Sequence, residues 1–291
     1  MIKFTKMEGL GNDYVYVDCT EKSNEEIDYI SKIACKISNR HFGVGSDGLI
    51  LICKSDVADF KMQMYNLDGS QAQMCGNGIR CVGKYVYDKG LTNKKSITVE
   101  TLAGIKKLDF DIKDNKVESV TVNMERPIFQ ENLIPCVADT IVKNGSNEIA
   151  HVRLRVLDRD FDFTCVSMGN PHAIAIVDDI DNFDVEKYGK IVECDEHFSQ
   201  KTNVEFIEIL NKSAIKMRVW ERGAGETLAC GTGASASVVA CILNELVDGN
   251  KEIKVKLLGG DLSIKWDKDV YMTGPAKMVF EGEYYDSLRT L

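Results

Sequence analysis

The chain repeats itself. Phe60 to Tyr85 reads as a strand ending at Asn66, a turn, Cys75-Gly76-Asn77-Gly78 and a helix; Ile215 to Leu246 reads as a strand ending at Glu221, a turn, Cys230-Gly231-Thr232-Gly233 and a helix. His41-Phe42 answers His197-Phe198, Asp47 answers Asn203, and Gly11-Asn12 answers Gly169-Asn170, all in the same order and at offsets of 155 to 158 residues. An ordered series at near-constant offset implies a duplicated domain. The boundary is expected in the polar region Asn123 to Asn132. That makes residues 1–122 one half and 123–274 the other, with the strand-like end 275–291 (Met278-Val279-Phe280) returning to the first half.

Period-two alternation predicts strands at Phe60/Met62/Met64, Leu108/Phe110/Ile112, Val120/Val122/Met124, Val152/Leu154/Val156, Phe161/Phe163/Cys165 and Ile215/Met217/Val219. Helical spacing is rarer. Ile27, Ile30, Ile33 and Ile37 mark one amphipathic helix. Ile79, Val82, Val86 and Tyr87 mark a second, stopped by Gly90 at a C′ position. The segment Ala234 to Leu243 is small and apolar on nearly all sides, stops near Gly249, and so predicts a buried helix. The expected class is α+β: two pseudo-symmetric domains, each a curved antiparallel sheet or barrel around a central helix.

A net charge of −9 without a long basic run argues against nucleic acid as the main partner, because phosphate binding needs clustered Lys and Arg. The first residues lack the apolar core of a signal peptide, and the longest apolar stretch, around Ser235 to Leu243, falls short of the roughly 20 residues that span a bilayer. A cytoplasmic protein without a membrane partner is expected. Its ten cysteines contain no CxxC pair, so most are expected as free, buried thiols. Four scattered histidines show no HxH or HExxH pattern, and no metal site is expected. Gly43-Val44-Gly45-Ser46-Asp47-Gly48 fits GxGxxG, but no buried strand precedes it and no helix follows, so a dinucleotide site is excluded by context.

The two cysteines at helix starts carry the chemistry. A helix N-terminus presents a partial positive charge and unpaired N–H groups, which favour a thiolate and bind carboxylates. One Cys-Gly-x-Gly turn would more often be packing than catalysis; a matched pair reverses that judgement. Inverting a carbon centre takes a base on one face and an acid on the other, and two equivalent thiols let the roles exchange with direction. The helix ends would hold the α-carboxylate and stabilise charge developing on it.

Asn66-Leu67-Asp68-Gly69-Ser70 with Cys75-Gly76-Asn77-Gly78-Ile79-Arg80 resembles the signature of the diaminopimelate epimerase family. Met168-Gly169-Asn170-Pro171-His172, Thr202-Asn203-Val204, Trp220 to Gly233 and Gly9-Leu10-Gly11-Asn12-Asp13 agree in the family's order over nearly the whole chain. The resemblance implies a cofactor-independent isomerase, in the lysine and peptidoglycan pathway, that interconverts LL- and meso-diaminopimelate at a site between two similar domains. It also implies a homodimer. On matching positions, Cys75 and Cys230 would be the acid/base thiols. The N–H groups of Gly76, Asn77, Gly231 and Thr232 would hold the reacting carboxylate and Glu221 would meet the α-ammonium. Asn12, Asn66, Asn170, Asn203 and Arg222 would read the substrate, and His172 would sit near the thiols. Gly48, where some members carry Gln, leaves that loop open.

The chemistry of the residues fits these roles. The Arg222 fork suits a carboxylate, and an Asn amide both donates and accepts. The thiol pair dictates the reaction but not the substrate side chain. A racemase of another amino acid, such as histidine, is therefore the nearest alternative, with a pyridoxal-phosphate racemase and a non-catalytic amino-acid-binding protein behind it.

Overall fold

The computed structural model describes residues 1–145 and 147–286. In chain order the elements are β1 (Ile2–Gly9), β2 (Asn12–Asp18), α1 (Asn24–Lys32), α2 (Ala34–Ser38), β3 (Gly48–Cys53), β4 (Phe60–Asn66), β5 (Gln71–Ala72), α3 (Gly76–Asp88), β6 (Ser96–Thr101), β7 (Gly104–Lys113) and β8 (Lys116–Asn123). There follow a 3-10 turn (Glu131–Leu133), β9 (Thr140–Asn144), β10 (Asn147–Val156), β11 (Arg159–Ser167), β12 (Pro171–Ile176), α4 (Val185–Glu193), β13 (Asn203–Asn211) and β14 (Ala214–Glu221). The chain ends with β15 (Gly225–Thr227), α5 (Gly231–Leu243), β16 (Ile253–Leu257), β17 (Gly260–Trp266), β18 (Val270–Pro275) and β19 (Lys277–Tyr284). It divides into two compact units, Met1–Val122 with the stretch from Gly274 onward, and Asn123–Thr273.

Each unit carries the same run of strand pairings. In the first the order is β19-β1-β2-β3-β4-β6-β7-β8, antiparallel except for the β2/β3 and β4/β6 contacts. In the second it is β10-β11-β12-β13-β14-β16-β17-β18, antiparallel except for β12/β13 and β14/β16. The parallel contacts are invisible to alternation and follow from the helices, since parallel neighbours require a crossover. The crossovers contain α1 with α2, and α3, in the first unit, and α4 and α5 in the second. β19 occupies in the first unit the place of β10 in the second, so the C-terminal strand completes a sheet begun at the N-terminus.

Strands from both ends of each order touch one helix: α3 packs against β1, β2, β7 and β19, and α5 against β11, β12, β13, β14, β16 and β17. Each sheet therefore curves around its crossover helix. On its other face the first sheet is covered by α1 and α2, where Ile30, Ile33 and Ile37 meet Val15, Val17, Leu49 and Leu51. In the second unit, Phe183, Val185, Tyr188 and Val192 cover Phe161, Phe163 and Phe206. Covered on both faces, β3 is buried along its whole length, which is why Gly48-Leu49-Ile50-Leu51-Ile52-Cys53 shows no alternation.

Two helices depart from their sequence pattern. The Ile27 to Ile37 stripe is two helices, starting at the Ser23/Glu26 capping box and broken at Ile33, whose N–H bonds back to Ile30 O. The buried helix α5 ends at Leu243, not near Gly249. The N–H of Glu245 bonds Ile242 O and that of Leu246 bonds Cys241 O, closing a Schellman turn with Glu245 at φ 57. α3 ends with the same two bonds, from Gly90 to Tyr87 and from Leu91 to Val86, with Gly90 at φ 74. The chain uses the same stop twice, but only the first copy marks it with glycine. Among the described residues, no helix is long and apolar enough to cross a membrane, and all ten cysteines are free.

Candidate active site

Both helices of 13 residues begin immediately after their cysteine. Cys75 and Cys230 are the N-caps, with extended backbone at φ −132, ψ 123 and φ −120, ψ 113. Each sulfur takes the place of a capping oxygen, accepting from the amide three residues on: Gly78 N at 3.4 Å and Gly233 N at 3.3 Å. In both units the sulfur thus sits at the positive end of a buried helix, beside first-turn amides with no glycine side chain to screen them.

In the first unit the Cys75 thiol donates to Asn12 Oδ1 at 3.2 Å. Asn12 Nδ2 donates in turn to Asp47 Oδ2 at 2.7 Å, and Arg40 Nη2 lies 2.7 Å from both Asp13 Oδ1 and Asp47 Oδ1. Asp47 therefore orients Asn12, and Arg40 neutralises the two carboxylates. Tyr14 adjoins the sulfur; burial, then the nearby Cys75, pushes its hydroxyl far up, so it remains a donor. Gly76 and Asn77 form the first turn and are held from beneath by Arg80. This fully buried guanidinium donates to Gly76 O at 3.1 Å, Asn77 Oδ1 at 3.0 Å and Pro275 O at 3.2 Å. Asn66 closes β4 and turns its amide onto Ser70 Oγ at 3.0 Å, inside the turn preceding Cys75.

In the second unit Cys230 lies 3.4 Å from Thr232 Oγ1, which accepts from Asn170 Nδ2 at 3.3 Å. Asn170 Oδ1 is 3.1 Å from His172 Nε2, and His172 Nδ1 is 2.7 Å from Glu205 Oε1. Thr227 donates its hydroxyl to Glu221 Oε1. Burial, opposed by the Thr227 bond and reinforced by the charge of Glu205, raises the Glu221 carboxyl. Asn203 bonds Pro171 O through Nδ2 at 2.8 Å and accepts from Arg222 N at 3.0 Å. The exposed Arg222 fork donates to Gln200 O at 3.0 Å.

The structure thus gathers Cys75, Gly76, Asn77 and Asn12 at one helix start, and Cys230, Gly231, Thr232, Asn170, His172 and Glu221 at the other. Asn66, Asn203 and Arg222 fasten the adjoining turns. Two readings need correction. A helix N-terminus favours a thiolate, yet burial of Cys230, followed by the charges of Glu221 and Glu205, pushes its thiol well up against the opposing bonds from Thr232 and Gly233. The strand register also shifts one equivalence: Tyr14 pairs with Gly48 as His172 pairs with Asn203, so Gly48, not Asp47, stands in the place of Asn203.

Pattern reading passed over Tyr14, Arg80 and Glu205. The last had a legible signal, an acid inside the apolar strand Val204-Glu205-Phe206-Ile207. Arg80 had none beyond its place in the Cys75 motif, because its bond to Pro275 spans 195 residues of the chain.

Comparison with known proteins places the chain in a family. A family model described as diaminopimelate epimerase matches residues 4–130 and 164–279. A protein of Methanococcus maripaludis named diaminopimelate epimerase is 54% identical over 285 residues, covering 97% of this chain and 99% of that one. One of the same name from Acetivibrio thermocellus is 53% identical over 286 residues, covering 97% and 98%. Among solved structures, a PhzF-family phenazine biosynthesis protein of Bacillus anthracis superposes with a TM-score of 0.70 at 19% identity, covering 97% of this chain and 98% of that one. A hydroxyproline epimerase of Agrobacterium vitis gives 0.65 at 14%, covering 99% and 94%. These two share the fold. On the family match and on relatives more than half identical along almost their entire length, the chain belongs to the diaminopimelate epimerase family, a family of isomerases.

Proposed function

We propose that this protein interconverts LL- and meso-diaminopimelate without a cofactor, using Cys75 and Cys230 as an acid/base pair on opposite faces of one α-carbon. The observation that carries the reading is the matched N-cap geometry, a sulfur accepting from Gly78 N in one unit and from Gly233 N in the other. Reversible inversion needs two groups of like chemistry, and a thiol and a thiolate exchange roles when the direction changes.

One thiolate takes the α-proton while the electron pair of the C–H bond moves onto the carboxylate. The other thiol then delivers its own proton to the opposite face. No oxidant or reductant enters. The amides of Gly76, Asn77, Gly231 and Thr232 hold the carboxylate as its charge grows, where fixed donors are most effective. Glu221 meets the α-ammonium. Asn12, Asn66, Asn170, Asn203 and Arg222 read the distal amino-acid end, and His172 supports the second thiol. The protein works on this small molecule as a cytoplasmic homodimer supplying lysine and peptidoglycan precursors.

The test is hydrogen exchange in heavy water with LL-diaminopimelate beside L-histidine and L-lysine. Deuterium should enter at the α-carbon of diaminopimelate alone, and Cys75→Ala and Cys230→Ala should each slow epimerisation by roughly 10² to 10⁴. Exchange with another amino acid instead moves the substrate assignment. A non-catalytic binder exchanges none.

A further inference from the structure

The two helix starts match in backbone but not in charge. Gly78 and Gly233 occupy the same place, and a Cβ at each would meet a different side chain: Ile50 Cδ1 at 2.8 Å and Glu205 Oε1 at 2.5 Å. Strand register agrees, since Ile50 stands two residues after Gly48 as Glu205 stands two after Asn203. The second unit thus carries a carboxylate where the first carries a methyl group. Glu205 is fully buried, its Oε1 bonds His172, and its Oε2 is buried with no hydrogen-bond partner. A buried carboxylate with so few partners is costly, and an apolar residue of similar volume would be favoured on stability alone.

We propose that Glu205 is a positioning residue for Cys230: through the hydrogen-bonded chain His172, Asn170 and Thr232 it fixes the sulfur's orientation, and it sets a carboxylate against the turn that carries that sulfur. The inference rests on reading Cys230 as an acid/base thiol. The groups facing this sulfur are Glu221 from β14, Glu205 from β13 and His172 from β12, with the Thr232 hydroxyl and Gly233 amide from its own helix. Glu221 supplies charge on one side. Glu205 supplies both charge and a tether, because each bond from His172 Nδ1 to the sulfur fixes the next group.

The test is alkylation of the reduced, full-length protein by iodoacetamide from about pH 6 to about pH 10, with the Cys230 and Cys75 peptides followed by mass spectrometry. The midpoint of each profile reports ionisation; the plateau reports access. Glu205→Gln should move the Cys230 midpoint to lower pH, raising its alkylation at neutral pH about tenfold, while the Cys75 midpoint stays in place. It should also move the limb of the kcat/KM profile that requires a protonated thiol. An unmoved Cys230 midpoint overturns the proposal. Should Glu205→Gln not fold, Glu205→Ile, which places in the second unit the residue that the first carries at Ile50, decides in the same way: an unmoved Cys230 midpoint overturns the proposal. No substrate enters the alkylation, so failure of the epimerase reading and failure of the positioning role are told apart.

Discussion

A Cβ placed on Gly233 would stand 2.5 Å from Oε1 of Glu205, a carboxylate pinned by His172. The second glycine of the Cys230 turn therefore admits an acid to the helix start. At Gly78 the obstruction is the tip of the Ile50 side chain, which can turn aside. Gly233→Ala should cost about 1 to 3 kcal/mol as an overpacked substitution. In Gly78→Ala the helix propensity gained, about 1 kcal/mol, should largely offset the displacement. Urea unfolding of the two variants checks the difference.

Arg80 joins the first turn of α3 to Pro275, where the chain re-enters the first unit. Arg80→Met would remove the guanidinium that donates to Gly76 O, Asn77 Oδ1 and Pro275 O and is expected to destabilise by about 1 to 3 kcal/mol. Arg80→Lys should recover little, since one ammonium cannot span three acceptors that lie in different directions. Thermal melts of both variants test this.

Glu221 gives a pH signature. Its carboxyl is raised in the folded protein, chiefly by burial. Between the ordinary carboxylate range and that raised value the folded state binds more protons than the unfolded state, so stability falls as pH rises through the window. Glu221→Gln should therefore melt higher than wild type at pH 7, the advantage shrinking as pH falls through that window and gone below about pH 4, while epimerisation is lost. A melting temperature unchanged at both pH values contradicts the buried charge.

Glu245 sits at φ 57 in the stop of α5, where α3 has Gly90. A left-handed conformation costs a side-chain-bearing residue about 1 kcal/mol that glycine avoids. Glu245→Gly should raise the unfolding midpoint, and Gly90→Glu should lower it by a similar amount.

The sequence by itself determined the duplication, most strands and both cysteine helix starts. These are local signals: the period of a strand, the glycines of a turn, the spacing from Asn66 to Cys75 and from Glu221 to Cys230. Such patterns survive whatever the chain packs against. Tertiary structure decided the rest. It ended α5 at a glutamate forced left-handed, broke the Ile27 to Ile37 stripe at Ile33, and set the parallel contacts through the crossover helices. It also separated two sulfurs that look identical in sequence. Around Cys230, β13 and β14 bring Glu205 and Glu221 from places scattered along the chain, and burial there pushes the thiol up against the pull of the helix end. Burial and neighbouring charge depend on distance in space, which no spacing along a chain encodes.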